Sequence, residues 1–229
     1  SRINEVLDTQ SSVSYPENSS EKPKDVGTVE FDDVSFRYSE TSEPVLEHVS
    51  FKAKKGDTVA FIGSTGSGKS TLVNLIPRFY DATQGTIKVD GVDVRHYDHE
   101  TLHNIVGYIP QKAVLFSGDI TSTMTMGTSN NSPLDDAKIW EALELAQGKD
   151  FVENKEGQLK AEVAQAGSNF SGGQKQRAVI ARIFASDPDI FVLDEPTTGM
   201  DAGTANTFYE LMHHSAHKHG KSVLMITHD

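Results

Sequence analysis

Apolar and polar residues alternate along residues 28–53, in the runs TVEFDDVSFRY and VLEHVSFKA. Alternation with a period of two is typical of strands that bury one face and expose the other. We therefore predict that these runs form short strands, which pair as an antiparallel β subdomain on the amino-terminal side of the fold.

Two later runs are apolar without alternation, namely IFVL at residues 190–193 and SVLMIT at residues 222–227. Strands that are buried on both faces of a parallel sheet have this pattern. A third apolar run, TVAFI at residues 58–62, also reads as a strand. We therefore predict an α/β fold whose core is a parallel sheet.

Helical periodicity separates these runs. We predict helices in the segment TLVNLI after TVAFI, in DDAKIWEALELA at residues 135–146, and over residues 201–219. We expect a helical subdomain at about residues 112–175. Trp140 lies on the apolar face of its helix, so we expect it to pack in the core.

The amino-terminal segment differs in composition from the rest of the chain. Residues 9–24 are rich in Ser, Glu and Pro and lack apolar periodicity, which is typical of a linker. We predict a linker over residues 1–27 and one domain with two lobes over residues 28–229. The chain has 229 residues, 36% of them apolar, so it can bury a large core. No run reaches the ~20 apolar residues that span a bilayer.

Charge and cysteine content exclude several functions. The chain carries 33 acidic and 21 basic residues, a net charge of −12, which argues against nucleic acid as a partner and against docking on anionic lipid. It has no cysteine, which excludes disulfides, Cys-based zinc sites and thiol catalysis. His213 and His217 could form a metal site on one helix face, but a solvated helix end with His near its negative dipole is favoured.

Residues 63–70 read GSTGSGKS and stand between the strand TVAFI and the helix-like TLVNLI. This is the pattern and context of a P-loop, in which backbone N–H groups and the start of a helix surround phosphate oxygens. We expect Lys69 to contact the β- and γ-phosphates of ATP and Ser70 to bind Mg²⁺. The predicted nucleotide-contacting positions of this segment are Gly63, Ser64, Thr65, Gly66, Ser67, Gly68, Lys69, Ser70 and Thr71.

Two carboxylates follow the buried run IFVL. We expect Asp194 to occupy the Walker B position, where a carboxylate holds Mg²⁺ through water. Glu195 is then placed to polarise the attacking water as general base. Together with the P-loop, this pair predicts an ATPase.

The tetrapeptide SGGQ at residues 171–174 opens a helix-like run, so the Ser hydroxyl and Gly N–H groups can form an anion site. With it, the chain resembles the nucleotide-binding domain of ATP-binding cassette (ABC) transporters along nearly its whole length. The resemblance implies the ABC ATPase fold and two domains stacked head to tail. It also implies that the signature of one domain closes over the γ-phosphate held by the other, and assigns this role to Ser171, Gly172, Gly173 and Gln174.

The same resemblance implies roles for four more residues. Tyr38 matches the aromatic residue that stacks on adenine. The alternative interpretation is that Tyr38 is a core residue of an edge strand. Gln111 in YIPQ matches the glutamine that senses Mg²⁺ and water. Asp201 matches the loop that contacts the partner domain. His228 matches the switch histidine, which bonds the γ-phosphate and holds the water with Glu195.

The sequence departs from the family pattern at three places. Phe170 stands where the signature usually has Leu, and Gly199 and Met200 replace the usual Ala-Leu before Asp201. The chain also stops at Asp229, where the family continues with another strand and helix, so we expect a truncated carboxyl end.

Three segments resemble the exporter branch of the family: SRINEVLD at residues 1–8, LFSGDI at residues 115–120 and AEVAQAG at residues 161–167. They imply a transmembrane domain on the same polypeptide and a location on the cytoplasmic face of the cell membrane. The favoured function is an ATPase motor that drives export as a homodimer or heterodimer. The alternative is a nucleotide-gated regulatory or structural clamp with little turnover.

Overall fold

The computed structural model describes residues 13–63, 68–110, 115–126, 134–198 and 201–227. In these ranges the strands are β1 (Val29–Phe36), β2 (Leu46–Ala53), β3 (Thr58–Ile62), β4 (Gln84–Val89), β5 (Val92–Asp93), β6 (Val106–Ile109), β7 (Gly118–Asp119), β8 (Glu162–Val163), β9 (Ile190–Asp194) and β10 (Ser222–Thr227). The α-helices are α1 (Lys69–Leu75), α2 (His99–Ile105), α3 (Ile120–Thr125), α4 (Asp136–Leu145), α5 (Lys149–Glu153), α6 (Gly172–Ser186) and α7 (Ala202–His219). None of these helices combines the length and apolar character of a bilayer span.

An antiparallel sheet has the strand order β2-β1-β4-β5, which confirms the predicted amino-terminal β subdomain. Val29 in β1 pairs with Ala53 in β2 and with Val89 in β4. The register shifts after Phe31, where Asp33 adopts a left-handed backbone (φ 50°) and forms a bulge. The sequence pattern did not predict β4 and β5, which complete this sheet.

A parallel sheet has the strand order β3-β10-β9-β6 and forms the core. All of β9 and nearly all of β10 are buried, as their unbroken apolar runs predict. In register, Ile62 pairs with Thr227 and Ile226 pairs with Asp194. The carboxyl ends of β3, β10 and β9 therefore meet at one edge, where α/β sheets bind their ligands.

Two apolar clusters hold the lobes together. One joins α3, α4 and α6 through buried residues such as Met124, Ile139 and Ile180, and Trp140 packs against it as predicted. The other lies between α1 and the two sheets and includes Val73 and Ile76. The confirmed α/β architecture thus has a parallel core, an antiparallel sheet and a helical lobe.

Residues 13–27 contain no helix or strand, yet they lie against the antiparallel sheet and α2. The Gly27 N–H donates to Asp90 Oδ1 (2.8 Å), and the Lys24 N–H donates to the Asp90 carbonyl (2.9 Å). Further along, the Ser20 N–H donates to the carbonyl of His96 (2.9 Å). Backbone hydrogen bonds therefore hold this segment on the domain over much of its length.

Asp90 gives the fold a pH dependence that can be measured. Its carboxyl is fully buried, and burial, followed by repulsion from Asp189 and Asp25, raises its pKa to about 6 although the Gly27 N–H lowers it. Since the folded-state pKa is raised, the stabilising contribution of Asp90 is complete below about pH 4 and is lost as pH rises through 6.

We expect the free energy of unfolding of the neutral variant Asp90→Asn, measured relative to wild type, to increase as the pH rises from 4 to 7.5. The gain should be on the order of 2 kcal/mol, because the variant has no proton to lose at this buried site. Urea unfolding of both proteins at several pH values measures the difference. A difference that stays constant over this range would show that Asp90 does not titrate as described.

Candidate functional site

The first part of the site is the turn between β3 and α1. Gly68 precedes the helix with a left-handed backbone (φ 84°), and a Cβ there would lie 2.9 Å from the Val45 carbonyl oxygen. Glycine is therefore needed both for the backbone angle and for the close approach of residue 45. No side chain caps α1, which leaves its first N–H groups for a ligand.

Lys69 and Ser70 each bond a group at the carboxyl edge of the parallel sheet. The Lys69 ammonium donates to the carbonyl of Gly63, at the end of β3. The Ser70 hydroxyl donates to Asp194 Oδ1 at 3.4 Å. The cation of Lys69 and the hydroxyl of Ser70 therefore lie at the carboxyl edge of the parallel sheet together with the carboxylate of Asp194, which follows Ser70 by 124 residues.

Asp194 is buried at the end of β9. Burial raises the pKa of its carboxyl, and the neighbouring Glu195 raises it further, while hydrogen bonds from Ser70 and Tyr108 lower it. The Tyr108 hydroxyl donates to Asp194 Oδ2 at 3.5 Å. Tyr108 was missed by the sequence reasoning. It pairs with Val192 across β6 and β9, so it shares a sheet face with Asp194, but only the strand order reveals this.

Glu195 adopts a left-handed backbone (φ 48°), a conformation that costs energy for this residue type. Its N–H donates to the Ile226 carbonyl (3.2 Å), and its own carbonyl accepts from the N–H and hydroxyl of Thr198 (3.3 and 3.1 Å). These bonds fix the half-buried Glu195 between the ends of β9 and β10, next to Asp194.

Tyr38 stands beside the amino-terminal end of α1. Its hydroxyl lies 2.7 Å from the Thr71 hydroxyl, and its ring meets Phe36 and Tyr80 edge-on, with centroids 4.9 and 5.3 Å away. The side chain is nevertheless 54% exposed. Tyr38 therefore offers a fixed, accessible ring face close to the P-loop helix.

The SGGQ segment begins α6 with a capping box. The Gln174 N–H donates to Ser171 Oγ, and the Ser171 N–H donates to Gln174 Oε1, both at 3.1 Å. A Cβ added to Gly172 would have no neighbouring atom within 4 Å. A Cβ added to Gly173 would approach only the Arg177 guanidinium, at 3.9 Å. The packing of this chain does not require these glycines, so they leave an open backbone surface at the helix start.

Phe170, which departs from the family pattern, is buried in the helical lobe. Its ring meets Phe151 edge-on at 5.9 Å, and the Lys155 ammonium lies 4.5 Å from the ring centroid. The larger side chain is thus packed without displacing the capping box that follows it.

Asp201 begins α7 as its N-cap. It accepts from the N–H and the hydroxyl of Thr204 (2.9 and 2.8 Å), and these bonds, the backbone one first, lower the pKa of the exposed carboxyl. At the other end of α7, His213 and His217 are exposed. Within the described ranges, no cluster of three or more His, Asp or Glu residues could hold a metal.

Several predicted positions lie outside the described residues. They are Ser64, Thr65, Gly66, Ser67, Gln111, Gly199, Met200 and His228. Of the predicted set, the structure brings together Gly63, Gly68, Lys69, Ser70 and Asp194, with Glu195 adjacent and Tyr38 bonded to Thr71. Ser171 and Asp201 each begin a helix elsewhere on the surface.

The chain is similar to known proteins over most of its length. The chain is 42% identical over 205 residues to an uncharacterized ABC transporter ATP-binding protein of Mycobacterium tuberculosis, an alignment that covers 89% of the chain and 35% of the relative. It is 39% identical over 186 residues to a Staphylococcus aureus protein with the provisional name multidrug export ATP-binding/permease protein, covering 81% of the chain and 32% of the relative. The chain therefore spans about a third of the length of these curated relatives.

A solved structure, described as a bacterial Atm1-family ABC exporter with ATP bound, superimposes with a TM-score of 0.87 at 31% identity. The match covers 100% of this chain and 39% of the exporter chain, which confirms the ABC ATPase fold. The sequence profile described as ABC transporter matches residues 46–198, two thirds of the chain. The chain therefore belongs to the ABC transporter family, as a nucleotide-binding domain of the exporter type.

Proposed function

We propose that this chain binds and hydrolyses ATP as the motor domain of an ABC exporter, and that two such domains dimerise head to tail on ATP to drive export across a membrane. The observation that carries the proposal is the meeting of Lys69, Ser70 and Asp194 at the carboxyl edge of the parallel sheet. This edge joins a phosphate-binding helix end to a metal-binding carboxylate, which ATP hydrolysis requires.

The donor set fits Mg²⁺. This ion prefers oxygen ligands and keeps several waters, and Ser70 Oγ and the Asp194 carboxylate lie 3.4 Å apart. When bound with ATP, Mg²⁺ would neutralise part of the charge of the phosphates. Ser70 would hold it directly and Asp194 through water, while Tyr108 holds the carboxylate in place.

Glu195 fits the role of general base. Its backbone is fixed by the Ile226 carbonyl, and its half-buried side chain follows directly on Asp194. A carboxylate held beside the phosphate site can accept a proton from the attacking water without reorganising. Gln111 and His228 would orient the same water, as the family resemblance implies. Tyr38 would stack on the adenine with its exposed ring face.

The signature points to a partner domain. Ser171 and Gly172 are exposed, and Gly172 and Gly173 stand at the first two positions of α6, although glycine favours a helix less than alanine does. That cost in helix stability has a function if the open N–H groups of Gly172 and Gly173 bind the γ-phosphate held by another domain. Asp201 would contact the same partner. The two ATP molecules would then lie in the interface and close it.

The exporter role is supported by the relatives. This chain matches about a third of each relative's length, and one of them is named as an export ATP-binding/permease protein. We infer a transmembrane domain on the same polypeptide, which would place the ATPase domain at the cytoplasmic face of the cell membrane. The transported substrate would be recognised by that membrane domain.

The P-loop assignment is tested with Lys69→Ala. The variant loses a charge-assisted contact to the β- and γ-phosphates, worth on the order of 1.5 to 3 kcal/mol, so its Kd for MgATP should rise about tenfold or more. Calorimetry measures both proteins, with Lys138→Ala, an exposed lysine of α4, as the matched control. Equal ATP affinity in wild type and Lys69→Ala would reject the assignment.

A further inference from the structure

The segment formed by residues 13–27, which we call the strap, contacts the domain near its amino-terminal end through Tyr15. The Tyr15 hydroxyl donates to the carbonyls of Arg78 (3.2 Å) and Pro77 (3.4 Å). These two carbonyls belong to the turn that directly follows α1 and its C-cap Ile76. Tyr15 therefore bonds the end of the P-loop helix that is opposite to Lys69.

The Tyr15 ring is held from several sides. The Arg78 guanidinium lies 4.8 Å from its centroid, and the His99 and His103 rings meet it edge-on at 4.9 and 6.5 Å. Arg78 is 5% exposed and is itself paired with Asp81, its Nε 2.6 Å from Asp81 Oδ1. Because the half-buried Tyr15 ring packs against several side chains, it holds this part of the strap in a defined position on the domain.

The rest of the strap is bonded as well. Ser19 and Asp98 exchange two hydrogen bonds: the Ser19 hydroxyl donates to the carboxylate (2.5 Å), and the Asp98 N–H donates to Ser19 Oγ (2.9 Å). Asp98 also begins α2 as its N-cap. With the Asp90 bonds at residues 24–27, the strap is bonded to the domain near its start, in its middle and at its end, and Tyr15 makes the contact near its start.

The helix α1 is short and stiff. Its seven residues extend about 10 Å, from Lys69 and Ser70 at the phosphate site to Leu75 beside the strap contact. A displacement of its carboxyl end therefore tilts the amino-terminal end as well, because a helix of two turns moves as one body.

We propose that Tyr15 is a positioning residue, which couples the chain amino-terminal to the strap to the P-loop through α1. The inference rests on the proposed function in one respect: α1 matters because its first residues bind ATP. A displacement of the strap would be transmitted to Lys69 and Ser70, and ATP binding would in turn bias the position of the strap.

The test measures α1 and ATP binding separately. Amide hydrogen exchange, resolved by NMR without nucleotide, reports the N–H groups of Ile76, Arg78 and Phe79, which donate to Val73, Leu75 and Asn74 carbonyls at 3.1 to 3.3 Å. The Ala146 N–H, bonded to Ala142 at 3.0 Å in the helical lobe, is the internal reference. Calorimetry then gives the Kd for MgATP.

The variants are Tyr15→Ala and Tyr15→Phe, with Lys24→Ala as the control, because Lys24 uses its side chain in the strap only for a surface pair with Glu21. In Tyr15→Ala the three amides should exchange about tenfold faster while Ala146 keeps its rate, and the Kd should rise several-fold. Tyr15→Phe retains the ring contacts and loses the hydroxyl, so both effects should be smaller. Lys24→Ala should match wild type.

Each other outcome counts against the proposal. Wild-type exchange at the three amides in both Tyr15 variants would show no coupling, and equal acceleration at Ala146 would show general destabilisation. Faster exchange with an unchanged or lower Kd would separate the strap from the phosphate site. If Tyr15→Ala does not fold, Tyr15→Phe decides alone. A wild-type chain that binds no MgATP would reject the proposed function, whereas the exchange result would still decide whether Tyr15 holds α1.

Discussion

Replacing Glu195 with Gln should lower ATP turnover by roughly 10² or more while leaving ATP bound. Gln has nearly the size of Glu and can adopt the same left-handed backbone (φ 48°), so the fold around the Ile226 contact should persist. Asp194, Ser70 and Lys69 remain to hold Mg²⁺ and the phosphates. Only the group that accepts the proton of the attacking water is lost.

The same variant should accumulate an ATP-bound dimer, since hydrolysis no longer opens it. Light scattering should then show a mass twice the 25.0 kDa of one chain with MgATP and the single mass without nucleotide. Glu210→Gln, which neutralises an exposed carboxylate on α7, is the matched control and should turn over ATP like wild type. Wild-type turnover in Glu195→Gln would rule out Glu195 as the base.

Turnover also separates the motor from the clamp. A regulatory clamp that dimerises on ATP would show the dimer in wild type already and lose little when Glu195 is changed. A motor would show the dimer mainly in Glu195→Gln, because ATP hydrolysis dissociates the dimer of the wild-type protein. The two measurements on one pair of proteins therefore decide between the two functions.

Two inactive variants should regain activity when they are mixed. Lys69→Ala weakens ATP binding at the P-loop of its own chain. Ser171→Asp disrupts the signature segment that binds the γ-phosphate held by the partner domain. In a head-to-tail heterodimer, one composite site combines both defects, whereas the other joins an intact P-loop to an intact signature. Activity that is nearly absent in each variant should thus return in part on mixing, as a steady-state ATPase assay measures.

Ser171→Asp is chosen because the capping box shows what a substitution there must preserve. Asp caps a helix about as well as Ser, so α6 should remain folded, but its carboxylate repels a γ-phosphate. Ser171→Asn, a neutral cap of similar size, is the control and should lose much less activity. A mixture as inactive as its components, with heterodimers demonstrated, would count against a site shared between chains.

The sequence predicted those parts of the site that lie in continuous segments. The P-loop, the acidic pair Asp194–Glu195 and the helix start at SGGQ each place their groups through local backbone geometry, namely a left-handed glycine, a strand end and an N-cap. Such geometry depends on neighbouring residues alone, so spacing and residue type suffice to predict it.

Other features could not be predicted because they join residues that are distant in the sequence. Tyr108 approaches Asp194 only because β6 lies beside β9 in a particular register. The strands β4 and β5 complete a sheet with β1, although the alternation in β4 extends over only a few residues, Ile87 to Val89. Residues 9–24 have the composition of a linker, and only the structure shows that Tyr15 lies on the end of α1.

The sequence by itself determined the α/β class, the buried strands and the family of this protein, since periodicity and local motifs encode them. The tertiary structure alone decided how these parts meet. It placed Ser70 against Asp194 over an interval of 124 residues, buried Asp90 beside the carboxyl group of Asp189, and docked the strap on the P-loop helix. The physical reason is that a contact between distant segments depends on the packing of the whole sheet, which no local pattern contains.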